Sequence, residues 1–344
     1  MKILYAIQAT GNGHISRAME LLPYLERYGT VDIFLSGANS TLTLDAPIKF
    51  RSKGLSLFYT CTGSLDYWKL TRSISPYRVI KEARELPVEQ YDLVLNDFEC
   101  ITSIACGLKK VPSVNFGHQA SFRSTKTPRP EKPNKIGEWV LNNYARASQY
   151  IGLHFECYDD FIFSPVIKED ILQAEPVNNG YITVYLPSYC DCQLRTLLQP
   201  FRDHRFEVFS KEVKTITREG NITWIPVGKT AFNQSLIGCH GIVCGAGFET
   251  PAEALHLKKK MIAIPIRGQY EQLCNAAALK KIGIKTLDKL DDDFTDTFNN
   301  WVNDPATPGV KYQYSTEAII EMLMFRCTDL KYKLDIPYPE LIFN

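Results

Sequence analysis

The sequence predicts an α/β protein of two domains, each built on a mostly parallel sheet, and three observations carry that expectation. Short apolar runs such as Ile3 to Ile7, Leu93 to Leu95 and Ile242 to Cys244 alternate with stretches of helical periodicity, the pattern of strands buried on both faces and joined by crossover helices. A glycine turn follows a strand once in each half, at Gly11/Gly13 and at Gly245/Gly247. At 344 residues the chain exceeds most single cores, so two domains of ordinary size are expected.

Composition excludes several function classes. Hydrophobic content of 45% and a net charge of +1 give no global attraction to nucleic acid. The ten cysteines form no CxxC or Cys/His quartet, and Cys190 and Cys192 stand one residue apart, so zinc and redox motifs are unsupported and reduced thiols are expected. The opening MKILYAIQATGNGH is a first strand, too short for a signal peptide, and no later run is long enough to span a membrane. A cytoplasmic protein is expected.

Taken in order, Ile3 to Ile7 leads through TGNGHISR into a helix marked by Ala18, Leu21, Leu22 and Leu25, with Pro23 predicting a kink or a late start. Gly11 and Gly13 let a ligand approach the backbone, while His14 and Arg17 project beside the carboxyl edge of the sheet. Val31 to Ser36 and a region around Ile48 to Tyr59 read as extended, and Ser64 to Leu86 as helical. Leu93 to Leu95 then deliver Asp97 to the sheet's carboxyl end, with Glu99 just beyond. Val111 to Asn115 do the same for Gly117, His118 and Gln119, so that His14, Asp97 and His118 converge from three strand ends.

Ser121 to Lys135 is proline-rich and basic and reads as a mobile loop. A solvated loop is the commoner case; contact with an anionic acceptor or with membrane headgroups through Arg123 to Lys135 is the alternative. Trp139 to Ala147 follows as a helix, Tyr150 to Leu153 closes the first half, and FSPVIKEDILQAEPVNNG reads as a linker, placing the boundary near Ser164. The second half restarts at Ile182, with a helix around Leu194 to Leu198, strands at Phe206 to Phe209 and NITWIPV, and a short helix at Ala231 to Ile237. After Gly283 come an acidic segment and helices at Phe294 to Val302 and Ser315 to Phe325.

The stretch Gly241 to Gly283 reads as a βαβα unit whose first turn ends on a helix N-terminus, where free N–H groups and the dipole favour phosphate. Thr250, Pro251 and Glu253 have the spacing of a capping box, with Thr250 as N-cap. The other reading of Glu253 is a carboxylate for ribose hydroxyls. Gln269, Glu271 and Gln272 suit vicinal hydroxyls of a sugar, although polar residues at a helix start are common. Asn275 inside LCNAAAL needs a partner for its amide. Trp224, at a strand end, suits stacking on a base, although a core tryptophan is more common. A carboxylate beside His14 would make it a candidate general base. His154, His204, His240 and His256 read as structural.

Together GNGHISR (Gly11 to Arg17) and GQYEQLCNA (Gly268 to Ala276) resemble glycosyltransferases of the two-domain GT-B type, around families 1 and 28. The likeness is to a microbial GxGHxxR / GQxEQxxNA branch related to the lipid-linked UDP-N-acetylglucosamine transferase of peptidoglycan synthesis. The resemblance spans nearly the whole chain. It implies two Rossmann-like domains facing across a cleft: residues 1–164 for the acceptor, 165–314 for the donor, and 315–344 as a helix and tail returning to the first. It implies a hexose or N-acetylhexosamine moved from a UDP-sugar co-substrate to an acceptor hydroxyl, with no further cofactor and no metal, the run Asp291 to Asp293 being a solvated helix start. The acceptor, whether lipid, glycan or small metabolite, stays open, and peripheral contact with the inner face of a membrane is an option.

By position, the resemblance implies that His14 is the base and Asp97 its partner. Trp224 would stack on uracil, and Gly13, Gly245, Gly247, Phe248, Glu249 and Thr250 would hold the diphosphate. Glu253 would meet ribose, and Gln269, Glu271, Gln272 and Asn275 the donor sugar. Arg17, Glu99, His118 and Gln119 would face the cleft. The chain has Gly245 where plant-type members carry a histidine, which leaves that contact to backbone or to a basic residue elsewhere. A UDP-sugar 2-epimerase of the same fold, which would draw on Glu99, Glu271 and His118, and a non-catalytic UDP-sugar-binding subunit are the rival expectations.

Overall fold

The computed structural model describes residues 1–9, 11–37, 44–54, 75–132, 134–291, 293–306 and 309–328. Its first half contains β1 (Lys2–Gln8), α1 (Asn12–Glu26), β2 (Thr30–Ser36), β3 (Ile48–Ser52), α2 (Pro76–Glu85), β4 (Leu93–Asp97), α3 (Cys100–Lys109), β5 (Val114–Gly117), α4 (Lys135–Asn143), β6 (Gln149–Leu153) and β7 (Ile162–Phe163). All described pairings are parallel, in the order β3-β2-β1-β4-β5-β6-β7. After the one-turn α5 (Glu169–Leu172), the second half contains β8 (Tyr181–Tyr185), α6 (Asp191–Leu198), β9 (Arg205–Ser210), β10 (Thr217–Glu219), β11 (Ile222–Pro226), α7 (Lys229–Gly238), β12 (Gly241–Gly245), α8 (Glu249–His256), β13 (Lys260–Ile264), α9 (Tyr270–Lys281), β14 (Lys285–Thr286) and α10 (Asp293–Asn303). Its order is β10-β11-β9-β8-β12-β13-β14, parallel except for the antiparallel edge strand β10.

Strand order reverses direction between β1 and β4 in the first sheet and between β8 and β12 in the second. Helices on opposite faces diverge at such points and leave a crevice at the carboxyl ends of the strands. Each sheet is covered on both faces. Ile3, Tyr5 and Ile7 of β1 pack with α1, while Leu4 and Ala6 pack with α2 and α3 on the other face, as period-2 alternation requires.

Helix α11 (Thr316–Thr328) returns to the first half, where Ile319, Ile320 and Leu323 join the core under α1, and Arg27 pairs with Glu317. The outgoing and returning chains meet at Ser164, whose Oγ accepts from the N–H groups of Gln313 (3.0 Å) and Tyr314 (3.1 Å).

Several local expectations are corrected. Helix α1 starts at Asn12 and runs on through the exposed Pro23, so the late start does not occur. The stretch read as a linker begins on the last residue of β7 and contains α5. The expected extended region to Tyr59 and the helix from Ser64 lie partly outside the described residues; within them the strand ends at Ser52 and the helix starts at Pro76.

The basic loop read as mobile is pinned by its own cations. Arg129 pairs with Glu138 and donates to the carbonyls of Thr127 and Phe122, Lys126 pairs with Asp159, and Arg123 donates to Asn142. No helix among the described residues is long and apolar enough to cross a membrane.

Candidate active site

The two crevices face each other and enclose a cleft of about 560 Å³. Gly11 to His14, Ser16, Arg17, His118 and Gln119 line it from the first half. Ser188, Val227 to Lys229, the Gly245 to Thr250 turn, and Gln269 with Glu271 and Gln272 line it from the second.

At the floor, β4 ends on Asp97, fully buried, and the first turn of α1 brings His14 Nδ1 within 2.9 Å of Asp97 Oδ1. Arg17, one turn further on, grips the same carboxylate through Nε (3.3 Å) and Nη2 (2.7 Å). Burial alone would raise the Asp97 pKa, but Arg17 and then His14 hold it below the usual carboxylate range. Burial pushes the His14 imidazole down, and the Asp97 carboxylate more than offsets this, leaving its pKa above the ordinary value. Gly117, at φ 155°, keeps the space beside this carboxylate open, since a Cβ there would stand 2.7 Å from Asp97 Oδ1.

The opposite wall is the turn after β12. Gly245 and Gly247 line the cleft, and a Cβ on Gly247 would meet nothing within 4 Å. The N–H groups of Glu249 and Thr250, in the first turn of α8, have no intrahelical acceptor by position. The Glu249 carboxylate reaches across to Arg17 and lies against Gly13. Arg17 is therefore 2% exposed and serves as an ionic bridge between the halves rather than an open acceptor contact.

Beside this bridge His118 stacks on Phe248, and its Nε2 lies 2.8 Å from Asn275 Oδ1. Asn275 also donates to the Ala246 carbonyl. Gln119 donates to Glu271 at 3.0 Å, and Gln272 accepts from the Ile266 N–H. The side-chain oxygens of Gln119 and Gln269 are buried in the cleft wall with no partner among the described residues.

Four expectations are corrected. Trp224 is 1% exposed; it packs with Ile222 and Phe206 on the face of β11 away from the cleft, donates to Glu219 and lies under Arg195, so its indole offers no platform for a base. Glu99 is fully buried and accepts from the N–H groups of Ile101 and Thr102 as the N-cap of α3, not facing the cleft. Asn275 is fully buried as a bracket between the halves rather than a sugar ligand.

Glu253 fits neither of its readings. Helix α8 is capped at Phe248, two positions too early for a Thr250 capping box, and the Glu253 carboxylate is spent on Lys168, whose Nζ lies 3.0 Å away.

Lys168 is a cleft residue that the linker reading hides. Lys211 and Lys229, which follow β9 and open α7, also escape sequence reasoning, because an isolated lysine after a strand carries no pattern.

With this geometry in view, a family model described as glycosyl transferase family 1 matches residues 1–302. The chain belongs to glycosyl transferase family 1. That assignment is broader than the peptidoglycan-related branch expected from the motifs. Among curated proteins none matches by sequence.

Solved structures share the fold at low identity. Arabidopsis thaliana UGT89C1, complexed with UDP, is 12% identical with a TM-score of 0.60, covering 95% of this chain and 99% of that one. SsfS6 from Streptomyces sp. SF2575 is 14% identical with a TM-score of 0.54, covering 94% and 99%. A UDP-N-acetylglucosamine 2-epimerase is 12% identical with a TM-score of 0.54, covering 99% of both. The architecture is the GT-B fold: two Rossmann-like domains about a cleft, with a C-terminal helix crossing back.

Proposed function

We propose that the cleft transfers a sugar from a UDP-sugar to an acceptor hydroxyl, with inversion and without a metal ion. The observation that carries this reading is His14, held by Asp97 at one crevice and facing the glycine turn and helix N-terminus of the other. With Nδ1 committed to Asp97, the imidazole's Nε2 is left for the acceptor. It takes the hydroxyl proton as that oxygen attacks the anomeric carbon, and the bond to the diphosphate breaks with its electron pair leaving on UDP. The amides of Glu249 and Thr250 stabilise the charge that develops there.

The sugar would lie against Gln269, Glu271 and Gln272, where hydroxyl donors satisfy the buried oxygen of Gln269. With Trp224 in the core, the base falls to Val227 and Gly228, the cleft-lining residues that follow β11. UGT89C1, which shares the fold, is solved in complex with UDP, and that supports the choice of nucleotide.

The epimerase reading has less to draw on, because Glu99 caps a helix and His118 is locked in the seam. A non-catalytic subunit docking through the basic loop would find two of that loop's five cations, Lys126 and Arg129, already in internal ion pairs. Incubation with UDP-sugars, with and without acceptors and with EDTA, tests the proposal. UDP release that depends on acceptor and survives EDTA is expected; C2 epimerisation, or binding with neither product, would overturn it.

A further inference from the structure

Among the described residues, the Arg and Lys side chains that line the cleft are Arg17, Lys168, Lys211 and Lys229. Arg17 is spent on Asp97 and Glu249, Lys168 on Glu253, and Lys229 on Glu20 at 3.1 Å. Lys211 has no anionic or hydrogen-bonding partner among the described residues. It follows β9 directly, at the carboxyl end of the donor-side sheet, where strand ends present groups to a ligand.

The cleft also carries an acidic group in the wrong place for a diphosphate. Glu249 sits in the first turn of α8, and its charge opposes the helix dipole's attraction for phosphate. Arg17 compensates Glu249 but is already shared with Asp97, so neither offers a surplus positive charge. A nucleoside diphosphate brings several negative charges into this space. The glycines of the Gly245 to Thr250 turn supply only N–H dipoles.

We propose that Lys211 is the phosphate-binding cation of the donor site, neutralising the diphosphate of the nucleotide from the same sheet edge as the Gly245 to Thr250 turn, with only β8 between their strands. This rests on the UDP-sugar reading. Lys211 is solvent-exposed at the rim, and partial withdrawal of water from its ammonium lowers its pKa, a cost that an incoming phosphate relieves. It takes the place of the side chain missing at Gly245, where a Cβ would have room, its nearest neighbour being the Ile264 carbonyl at 3.9 Å. The ammonium acts as a point charge, so Arg at this position should serve nearly as well for charge.

The test is calorimetric titration of UDP and of uridine into the wild-type protein and the Lys211→Gln and Lys211→Arg variants, with thermal unfolding as a folding control. Lys211→Gln should weaken UDP binding by about ten- to a hundredfold, the worth of one charge-assisted hydrogen bond, and leave uridine binding unchanged. Lys211→Arg should retain most of the UDP affinity. Equal UDP affinity in wild type and Lys211→Gln would overturn the inference and leave the UDP-sugar reading standing. Parallel loss of uridine and UDP would also overturn it. A wild-type protein that binds neither would sink the parent reading itself.

Discussion

The imidazole of His118 lies flat on the ring of Phe248, centroids 3.9 Å apart and planes within 9°, across the boundary between the two halves. Burial pushes the His118 pKa below the ordinary value, against the opposing pull of Glu271. A histidine held neutral in the folded state loses stabilisation as pH falls from the unfolded value of about 6.5 toward its depressed folded value, because only the unfolded chain gains the proton in that window. The thermal unfolding midpoint should therefore drop as pH is lowered through that window. His118→Phe, which keeps an aromatic face for Phe248, should flatten that slope; an unchanged slope would place the titration elsewhere, with buried His154 the next group to examine.

For His14 the direction is opposite. Its pKa is raised, so the fraction able to accept a proton grows only above the ordinary histidine value, and kcat/KM should climb on an acid limb lying above about pH 6.5. Asp97→Asn should move that limb downward, because the carboxylate that raises the pKa is gone. His14→Ala should lose about a hundred- to ten-thousandfold in rate while retaining UDP affinity. Full turnover by His14→Ala would remove the base from this position.

Gly247 offers a probe of the diphosphate turn that spares the fold. Its φ is outside the left-handed region and a Cβ meets nothing, so Gly247→Val should unfold at nearly the wild-type temperature. The added methyls would point into the cleft, and UDP titration should show binding reduced by at least an order of magnitude, roughly the worth of one or two phosphate contacts. Normal UDP binding by this variant would place the phosphates away from the turn.

Lys168 and Glu253 form a pair in which the carboxylate is 2% exposed. Burial raises the Glu253 pKa, and Lys168 opposes that rise. Glu253→Leu leaves the lysine unpaired and should cost about 3–5 kcal/mol in denaturant unfolding. Lys168→Met combined with Glu253→Leu should recover most of that loss. Failure of the double variant to recover would mean that the glutamate contributes more than charge balance.

Much of this site is legible in the sequence. Strand ends announce themselves as apolar runs stopping at polar residues, so ILYAI and LVL alone place His14 and Asp97 at one sheet edge. Facing within a strand is another matter. Trp224 and Ile225 are adjacent on β11 and enter different cores, and nothing in NITWIPV says which parity meets the cleft. Glu99 misleads because a glutamate N-cap, bonded to two amides two and three residues on, departs from the usual Ser, Thr, Asp and Asn. Lys168 stays hidden for a third reason: its partner Glu253 lies 85 residues away, beyond any local pattern.

The meeting of the two crossing chains at Ser164 has a mechanical meaning. A body tethered at two separate points resists rotation about either one, whereas two tethers sharing one anchor leave a single swivel. With Gln313 and Tyr314 both fastened to the Ser164 hydroxyl, the outgoing and returning chains share one anchor. Rotation of one sheet against the other about that anchor would have to break the Arg17–Glu249 and His118–Asn275 contacts, which lie elsewhere.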